Sequence, residues 1–348
     1  MSVSVKKRAL FGAAIAVGLL LAAEIALRLL GFTYQRSLSY MEFSFPRPHE
    51  LHQIFEPDPE LLWRLRPGYN FGQGFPPLNR QGFRGPDFPE RPEPGTLRVA
   101  CLGDSVTFGR PEADFPDLLG PLLDGPAAPT AMNFGVPGYS SFQGRRLLPR
   151  VLLRYRPRAV VILFGWNDHW LAKGFGDAEQ KAASAPVATV LGPLRRLRLY
   201  QFLNHLAMHL ALFPSRAPTL RVPPAAYRAN LAAMIAECRR AGAVPVLATA
   251  PSAIGAGKVP AFLLELGFIA RPEDLLTLHR EYNRIVRELA RETGAPLCDL
   301  DRAFEERGAA GLFADPGKDV VHPNAEGYRL MAEQLAAALR PVLAAPLP

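Results

Sequence analysis

The sequence predicts an α/β fold in which a parallel sheet of about five strands is covered by helices on both faces. From Leu97 onward, short apolar runs alternate with longer segments of helical periodicity, as in parallel strands joined by helical crossovers. The apolar runs are continuous rather than alternating in polarity, which is typical of strands buried on both faces. Residues that start or end helices, such as Pro323 and Gly242, lie at the boundaries of the helical segments.

The predicted strands and helices alternate along the chain. The segment 225–241 illustrates the helical pattern, because Leu231, Met234, Ile235 and Cys238 recur at a spacing of three or four residues and Gly242 follows as a C-cap. The predicted strands are 97–102, 130–134, 158–164, 244–249 and 295–299, and the predicted helices are 113–123, 140–155, 225–241, 273–293 and 325–340.

The amino terminus, residues 1–32, has the pattern of a membrane anchor. Three basic residues, 6–8, precede a largely apolar run from Ala9 to Phe32, which at 24 residues is long enough to cross a bilayer as a helix. Glu24 and Arg28 lie four residues apart near its far end, where they can pair. The leading positive charges predict an uncleaved signal anchor with everything after it outside the cytoplasm. A cleaved signal peptide and a soluble amphipathic helix are the alternatives.

Two further segments interrupt the regular pattern. Residues 33–95 are rich in proline, glycine and aromatic residues without a helical period, and they predict an extended arm with short strands packed on the domain that follows. Residues 96–348 form that domain, with an insertion at about 171–224 whose middle, 191–213, is apolar. The insertion is interpreted as packing on the domain, as a cap over a pocket, or as a contact with the membrane surface.

Composition argues against several function classes. The chain has 348 residues and a formal net charge of +8, but no basic block interleaved with aromatics and no nucleic-acid-binding signature, so no nucleic-acid partner is expected. Its three cysteines cannot all pair with one another, and no spacing suggests a metal site. We expect neither a metal nor an organic cofactor.

A candidate nucleophile lies where the first predicted strand ends. The apolar run 97–102 breaks at Gly103-Asp104-Ser105, which predicts a tight turn at the carboxyl edge of the sheet, where ligands bind in open α/β folds. A serine there acts as a nucleophile if a base and an oxyanion site are supplied from elsewhere. The alternative is an ordinary turn followed by a helix cap.

The best candidate for the base is His322, one of seven histidines. It lies on the loop just before the last predicted helix, and Asp319 precedes it by three residues. That carboxylate can reach the Nδ1 atom of His322, set its tautomer and stabilise the imidazolium. Asp315 is a rival carboxylate at a greater separation, and His169, just beyond the third predicted strand, is the other histidine placed near a strand end.

Two further loops offer hydrogen-bond donors to an oxyanion. Residues 133–138, Asn-Phe-Gly-Val-Pro-Gly, follow the second predicted strand, and their glycines allow backbone N–H groups to approach a substrate. Asn167, in Gly165-Trp-Asn-Asp168, follows the third strand and carries an amide. Each loop alone is an ordinary sequence. Together with the loop that carries Ser105, however, they follow three successive predicted strands, in the order that one site requires.

At these residues the chain resembles the SGNH (GDSL-type) hydrolases, over residues of about 97 to 340. The four sequence blocks of that family occur in order, with Val106 where the common first block has leucine: Gly103-Asp104-Ser105, Asn133 to Gly138, Gly165-x-Asn167-Asp168 and Asp319-x-x-His322. The resemblance implies a three-layer α/β/α, flavodoxin-like domain. The arm, with Trp63 to Pro67 and Asn79 to Arg84, also looks like that of membrane-anchored members.

The resemblance also implies a role for each site residue. Ser105 would be the nucleophile and, through its own N–H, one oxyanion donor. Gly138 N–H and the Asn167 side chain would be the other donors. His322 would be the base, and Asp319 would orient it. Four more residues are candidates for contact with substrate, namely Arg84, Trp166, His169 and Trp170.

The expected reaction is ester hydrolysis through an acyl-enzyme on Ser105. Removal of acetyl or another short acyl group from a cell-envelope or exported glycan suits the predicted location, outside the cytoplasm and held by the amino-terminal helix. A lipid acyl ester, as for a lipase or lysophospholipase, suits the apolar insertion. A polysaccharide O-acetyltransferase and a catalytically silent envelope protein are the remaining alternatives.

Overall fold

The structure is a computed structural model that divides the chain into two compact units. One contains Met1–Gln53 and Ala183–Ala217, and the other contains Ile54–Ala182 and Pro218–Pro348. The described residues are 5–32, 54–58, 60–72, 74–90, 96–123, 129–172, 176–179, 194–211, 219–255, 259–265 and 267–345. Residues 33–53, 59, 73 and 91–95 of the predicted arm, and 173–175, 180–193 and 212–218 of the predicted insertion, lie outside them.

The described part of the chain contains the following helices and strands. The helices are α1 (Val5–Leu29), α2 (Ser105–Phe108), α3 (Phe115–Leu119), α4 (Ser141–Tyr155), α5 (Arg198–Ala211), α6 (Pro224–Arg240), α7 (Ala261–Glu265), α8 (Pro272–Thr293), α9 (Leu300–Arg307) and α10 (Ala325–Ala344). The strands are β1 (Phe55–Asp58), β2 (Leu62–Leu65), β3 (Arg98–Gly103), β4 (Thr130–Gly135), β5 (Ala159–Leu163), β6 (Leu171–Ala172), β7 (Thr219–Leu220), β8 (Val244–Ala248) and β9 (Leu297–Cys298).

The larger unit is built on a five-stranded parallel sheet in the order β4-β3-β5-β8-β9. Helices α4, α6 and α8 pack together as one layer, and α3, α9 and α10 form the other. The predicted three-layer α/β/α fold and its five strands are therefore confirmed. Strand β3 lies between β4 and β5, and the side chains of 99–102 are fully buried, which explains why its sequence is apolar without alternation.

The predicted helix 113–123 is wrong in its extent. The α-helix covers only Phe115–Leu119, with the Asp114 side chain accepting from the Asp117 N–H as its N-cap, and Gly120–Leu122 continues as a 3₁₀ turn. Pro121 is the physical reason, because a proline has no N–H for an α-helical hydrogen bond and its ring crowds the preceding turn.

The described part of the arm belongs to the same unit as the sheet. Strands β1 and β2 form an antiparallel hairpin. The Tyr139 hydroxyl donates a 2.7 Å hydrogen bond to the Trp63 carbonyl oxygen, and their rings pack edge to face. Arg150 forms a 3.2 Å ion pair with Asp58. These contacts join the arm to the loop after β4 and to α4.

The smaller unit pairs the long helix α1 with the insertion helix α5. Among the described residues, Lys6–Leu29 is the one helix that is long and apolar enough to cross a membrane, a property that signal sequences near an amino terminus share. Its side chains are exposed over most of its length, with Leu10 at 77% and Leu19 at 67%.

Candidate active site

The loop that carries Ser105 is a tight turn from β3 into the short helix α2. The Asp104 side chain caps this helix by accepting a 2.8 Å hydrogen bond from the Val106 N–H. Glycines behind the turn allow close packing: a methyl group at Gly103 would collide with Thr107 and with the Leu163 carbonyl oxygen. Ser105 is therefore presented at the carboxyl edge of the sheet, as the sequence predicts.

Ser105, His322 and Asp319 lie in one hydrogen-bonded line. The His322 Nε2 atom is 2.8 Å from Ser105 Oγ, although the two residues are 217 positions apart in the sequence. On the other side of the ring, His322 Nδ1 is 2.9 Å from Asp319 Oδ2. The other Asp319 oxygen accepts from the backbone N–H groups of Val321 and His322 at 2.9 and 3.0 Å.

The rival carboxylate, Asp315, is not part of this line. Its side chain is half exposed and forms a 2.9 Å ion pair with Lys318. It also accepts a hydrogen bond from the Gly317 N–H. The loop carrying His322 is anchored elsewhere, since the Ala253 N–H donates to the Val320 carbonyl oxygen and the Asn324 N–H donates to the Leu312 carbonyl oxygen.

The Asp319 carboxylate is ionised across the working range of an enzyme. Partial burial would raise its pKa, but hydrogen bonds from the His322 ring and from two backbone N–H groups outweigh this and hold the pKa at about 2. Arg110 adds positive charge, with its Nη1 atom 3.5 Å from Asp319 Oδ2. A permanent negative charge at this place stabilises a protonated His322 ring.

Asn167 and Gly138 follow the two strands adjacent to β3. Asn167 is 8% exposed, and its Nδ2 atom donates a 3.3 Å hydrogen bond to Asp104 Oδ2, next to Ser105 in the chain. Burial raises the pKa of Asp104 to about 6. Gly138 has a φ of +82°, in the left-handed region that favours glycine. The candidate residues thus follow β3, β4 and β5, at neighbouring strand ends.

A buried ion pair that the sequence analysis did not identify holds the backbone of Gly138. Arg221, which directly follows β7, is 2.8 Å from Asp177, and both side chains are fully buried. Arg221 Nη2 also donates to the Gly138 carbonyl oxygen at 2.9 Å, and the Ser140 hydroxyl donates to Asp177 at 2.6 Å. No local pattern marks these residues, because they lie at the two ends of the insertion and meet only when it folds back.

Asp168 supports the site from within the fold. It is fully buried, and its carboxylate accepts hydrogen bonds from the backbone N–H and the hydroxyl of Ser141, at the start of α4. Burial raises the pKa of Asp168 to about 7. The residue therefore ties the loop after β5 to the first turn of α4.

The four candidates for substrate contact, for which a purely structural role is the alternative, are buried inside the protein. Arg84 is 6% exposed, forms a 2.7 Å ion pair with Asp114 and donates to the Arg110 carbonyl oxygen. Trp166, His169 and Trp170 are 1%, 0% and 6% exposed, and the Trp166 ring N–H donates to the Pro251 carbonyl oxygen. The type of a residue and its place near a predicted strand end do not show whether its side chain is buried, because burial depends on helices that are distant in the sequence.

A metal site is not found in the described part of the chain, where no three His, Cys, Asp or Glu side chains converge in a way that could hold a metal ion. The groups that the structure brings together around Ser105 are its hydroxyl, the His322 ring, the Asp319 carboxylate and the Asn167 amide. These are the groups that acyl transfer from an ester requires.

Several solved structures are similar to the chain. A lipase/acylhydrolase from Enterococcus faecalis is 18% identical, with a TM-score of 0.45, covering 70% of this chain and 96% of that one. An acetylxylan esterase from Geobacillus stearothermophilus is 17% identical, with a TM-score of 0.44, covering 70% of this chain and 94% of that one. A GDSL-like lipase from Bacteroides thetaiotaomicron is 16% identical, with a TM-score of 0.42, covering 70% and 87%.

The curated proteins include no match to the chain. A family model described as GDSL-like Lipase/Acylhydrolase family matches residues 101–330, from within β3 to within α10, a range that includes Ser105 and His322. The match covers more than half of the 348 residues. The chain therefore belongs to the GDSL-like lipase/acylhydrolase family, as a serine hydrolase that acts on ester bonds.

Proposed function

We propose that Ser105, His322 and Asp319 form the catalytic triad of an esterase that works through an acyl-enzyme. The observation that carries this proposal is the continuous line of hydrogen bonds from Ser105 Oγ through the His322 ring to Asp319, at 2.8 and 2.9 Å. Ser105 Oγ attacks the ester carbonyl carbon while His322 Nε2 takes its proton. His322 then gives the proton to the leaving alcohol oxygen, and the acyl group stays on Ser105.

Deacylation repeats these steps with water as the nucleophile. His322 takes a proton from the water, whose oxygen attacks the acyl carbon, and the proton returns to Ser105 Oγ as the acid departs. In both halves the carbonyl oxygen becomes negative, and the proposed donors to it are the Ser105 and Gly138 N–H groups and the Asn167 amide. The hydrogen bonds from Asn167 to Asp104 and from Arg221 to the Gly138 carbonyl oxygen support this by fixing two of these donors in place.

The proposed role of Asp319 predicts a large loss of activity in an Asp319→Asn variant. We expect a loss of about 10⁴-fold in kcat, because the neutral amide neither sets the His322 tautomer nor stabilises the imidazolium. Since the pKa of Asp319 is about 2, this carboxylate stays ionised above about pH 4. The loss should therefore persist over the whole range from about pH 4 to 9, because the variant lacks a charge that the wild type carries throughout it.

Asp315→Asn is the matched control, because Asp315 lies on the same loop, pairs with Lys318 and is half exposed. Activity of this variant should equal that of the wild type. Steady-state rates between about pH 4 and 9 measure both variants. Equal losses in the two variants, or a wild-type-like Asp319→Asn enzyme, would contradict the assignment.

The proposed substrate is a short O-acyl ester, in the first place an O-acetyl group on a cell-envelope or exported glycan. The support is the location proposed for the catalytic unit: α1 as an uncleaved span with the basic residues 6–8 on its cytoplasmic side, so that the rest of the chain lies outside. A lipid acyl ester is the second candidate, favoured by the exposed apolar residues of α5, such as Leu203 and Leu206.

A chain-length series separates these substrates. The purified full-length protein is assayed in detergent with p-nitrophenyl esters of two to about twelve carbons, with Ser105→Ala as the blank. We expect kcat/KM to be highest for two to about four carbons and to fall by about tenfold or more at eight, because a pocket shaped for acetyl excludes longer chains. A maximum at eight to twelve carbons would instead identify a lipid acylhydrolase.

The acyltransferase alternative predicts a different product. With an acetyl-ester donor and an excess of an acceptor sugar, a hydrolase releases acetate at an unchanged rate, whereas a transferase diverts the acyl group to the sugar. Mass spectrometry of the sugar and a titration of released acetate distinguish the two. We expect acetate, and a predominance of acylated sugar would overturn the hydrolase proposal.

A further inference from the structure

We infer that the first part of the insertion helix α5, with the turn before it, lies in the headgroup region of the membrane, docked on the outer end of α1. Its partner is the phospholipid bilayer itself. The segment concerned is Leu194–Leu206, hereafter the surface segment. This inference rests on the proposal that α1 crosses the membrane, and it gives a function to α5, the part of the insertion to which the proposed hydrolysis assigns no role.

The first observation is that Glu24 of α1 receives the start of α5. One Glu24 oxygen accepts the Arg198 N–H at 3.0 Å, and the other accepts the Leu199 N–H at 2.7 Å. The first N–H groups of a helix have no partner within the helix, and a carboxylate at this end is also favoured by the helix dipole. A carboxylate within an apolar span is costly unless it is paired, and here α5 supplies its donors.

Arg28, one turn further along α1, also contacts the surface segment. Its Nε atom donates to Glu24 at 2.8 Å, and its Nη2 atom donates to the Arg196 carbonyl oxygen at 3.2 Å. The two charged residues that interrupt the apolar run of α1 are therefore both bonded to the surface segment. This explains why the anchor carries a glutamate and an arginine four residues apart, and it fixes the depth at which α5 begins.

The depth follows from helix geometry. A bilayer core of about 30 Å takes up about 20 residues at 1.5 Å each, so a span that enters at Ala9 leaves the core near Arg28. Glu24 then lies about 6 Å inside this boundary. Beyond it, the Phe202 and His205 rings lie 5.7 and 6.0 Å from the Phe32 ring. The surface segment thus runs beside the outer end of α1, from the edge of the hydrocarbon into the headgroups.

The second observation is the chemistry of the surface segment. Five large apolar side chains are between 38% and 54% exposed: Leu194, Leu197, Phe202, Leu203 and Leu206. They are interspersed with Arg196 and Arg198. Helices that lie at membrane surfaces typically combine apolar residues with arginines. Their apolar side chains enter the boundary of the acyl chains, and their cations contact anionic headgroups.

The bilayer is the one partner that covers the exposed apolar residues of both α1 and α5, as far as the structure describes them. The exposed residues of α1, such as Leu19, are already assigned to lipid by the proposed span. Because α5 packs directly on the end of α1, its apolar residues continue the same surface. One medium therefore covers both helices, without a second copy of the chain or another protein.

Fluorescence quenching in vesicles tests this inference with the full-length chain. The native cysteines, Cys101, Cys238 and Cys298, are all buried, so a single introduced cysteine can be labelled selectively. Leu203→Cys and Ile15→Cys are labelled with the environment-sensitive dye NBD and reconstituted into phosphatidylcholine–phosphatidylglycerol vesicles. Wild-type protein gives the labelling background. Nitroxide lipids labelled near the headgroup or deep in the acyl chain act as quenchers.

The label at 203 tests the position of the surface segment, and the label at 15 tests whether α1 is anchored in the membrane. We expect the label at 203 to be quenched about threefold more by headgroup nitroxide than by iodide in the water, and the label at 15 to be quenched mainly by deep nitroxide. A label at 203 that only iodide quenches, with the label at 15 deep in lipid, overturns the surface segment. A label at 15 that lipid nitroxides do not quench overturns the anchoring itself.

Discussion

Ser105→Ala is expected to lower kcat for ester hydrolysis by about 10⁶-fold while leaving the fold intact. The Ser105 hydroxyl is the proposed nucleophile, and its hydrogen bond is to His322, so no other chain segment loses support when the oxygen is removed. Substrate binding should change little, because alanine removes only the attacking atom. The loss should therefore be confined to kcat and leave KM nearly unchanged.

A covalent probe makes this prediction specific to one residue. A fluorophosphonate should add once to the wild-type chain, and peptide mass spectrometry should place the adduct on Ser105. Ser252→Ala is the control, because this serine also follows a strand of the sheet, β8, and should keep full activity and labelling. Labelling of the Ser105→Ala variant, or its retention of more than about 1% of wild-type activity, would disprove the assignment of the nucleophile.

His322→Ala is expected to cost about as much in kcat as the loss of Ser105. Without the ring, no group accepts the Ser105 proton, and none returns it to the leaving alcohol. Because serine and histidine act as one unit, the Ser105→Ala/His322→Ala double variant should be no slower than either single variant. Steady-state rates of the three variants measure this, and additive losses would contradict a shared role.

Added imidazole distinguishes a missing base from a disrupted fold. In His322→Ala, the removed ring leaves a space between the Ser105 hydroxyl and the Asp319 carboxylate, which it had bridged at 2.8 and 2.9 Å. Imidazole from solution should restore part of the activity there and none in Ser105→Ala. His205→Ala, at an exposed position of α5, is the control and should hydrolyse soluble esters at the wild-type rate.

The main elements of the fold were predictable because their signals are local. A strand buried on both faces needs a continuous apolar run, and each of the five runs became a strand of the sheet within about two residues at either end. The same holds for Ser105, Asp319 and His322, which lie in short blocks at the ends of strands and helices. The short separation from His322 also favoured Asp319 over Asp315, and in the structure the Asp319 side chain contacts His322 whereas that of Asp315 pairs with Lys318.

Other features depended on contacts between distant residues. The sequence indicated that Glu24 can pair with Arg28, but not that its oxygens also accept the first N–H groups of α5, 174 and 175 residues away. For the polar and aromatic residues around the site, the sequence left open whether they contact substrate or support the fold. Arg84 holds the loop after α2 from inside, and Trp166 packs in the core.

By itself, the sequence determined the parallel α/β sheet and singled out Ser105, Asp319 and His322 as the proposed catalytic residues, because hydrophobic periodicity and turn chemistry act within a few residues. Only the tertiary structure decided which buried charges support that site. Arg221 and Asp177 meet at the two ends of a long insertion and hold Gly138 and Ser140 in place. Burial of such an ion pair is favourable only where both partners and their hydrogen bonds are assembled together, and that assembly depends on how distant segments pack.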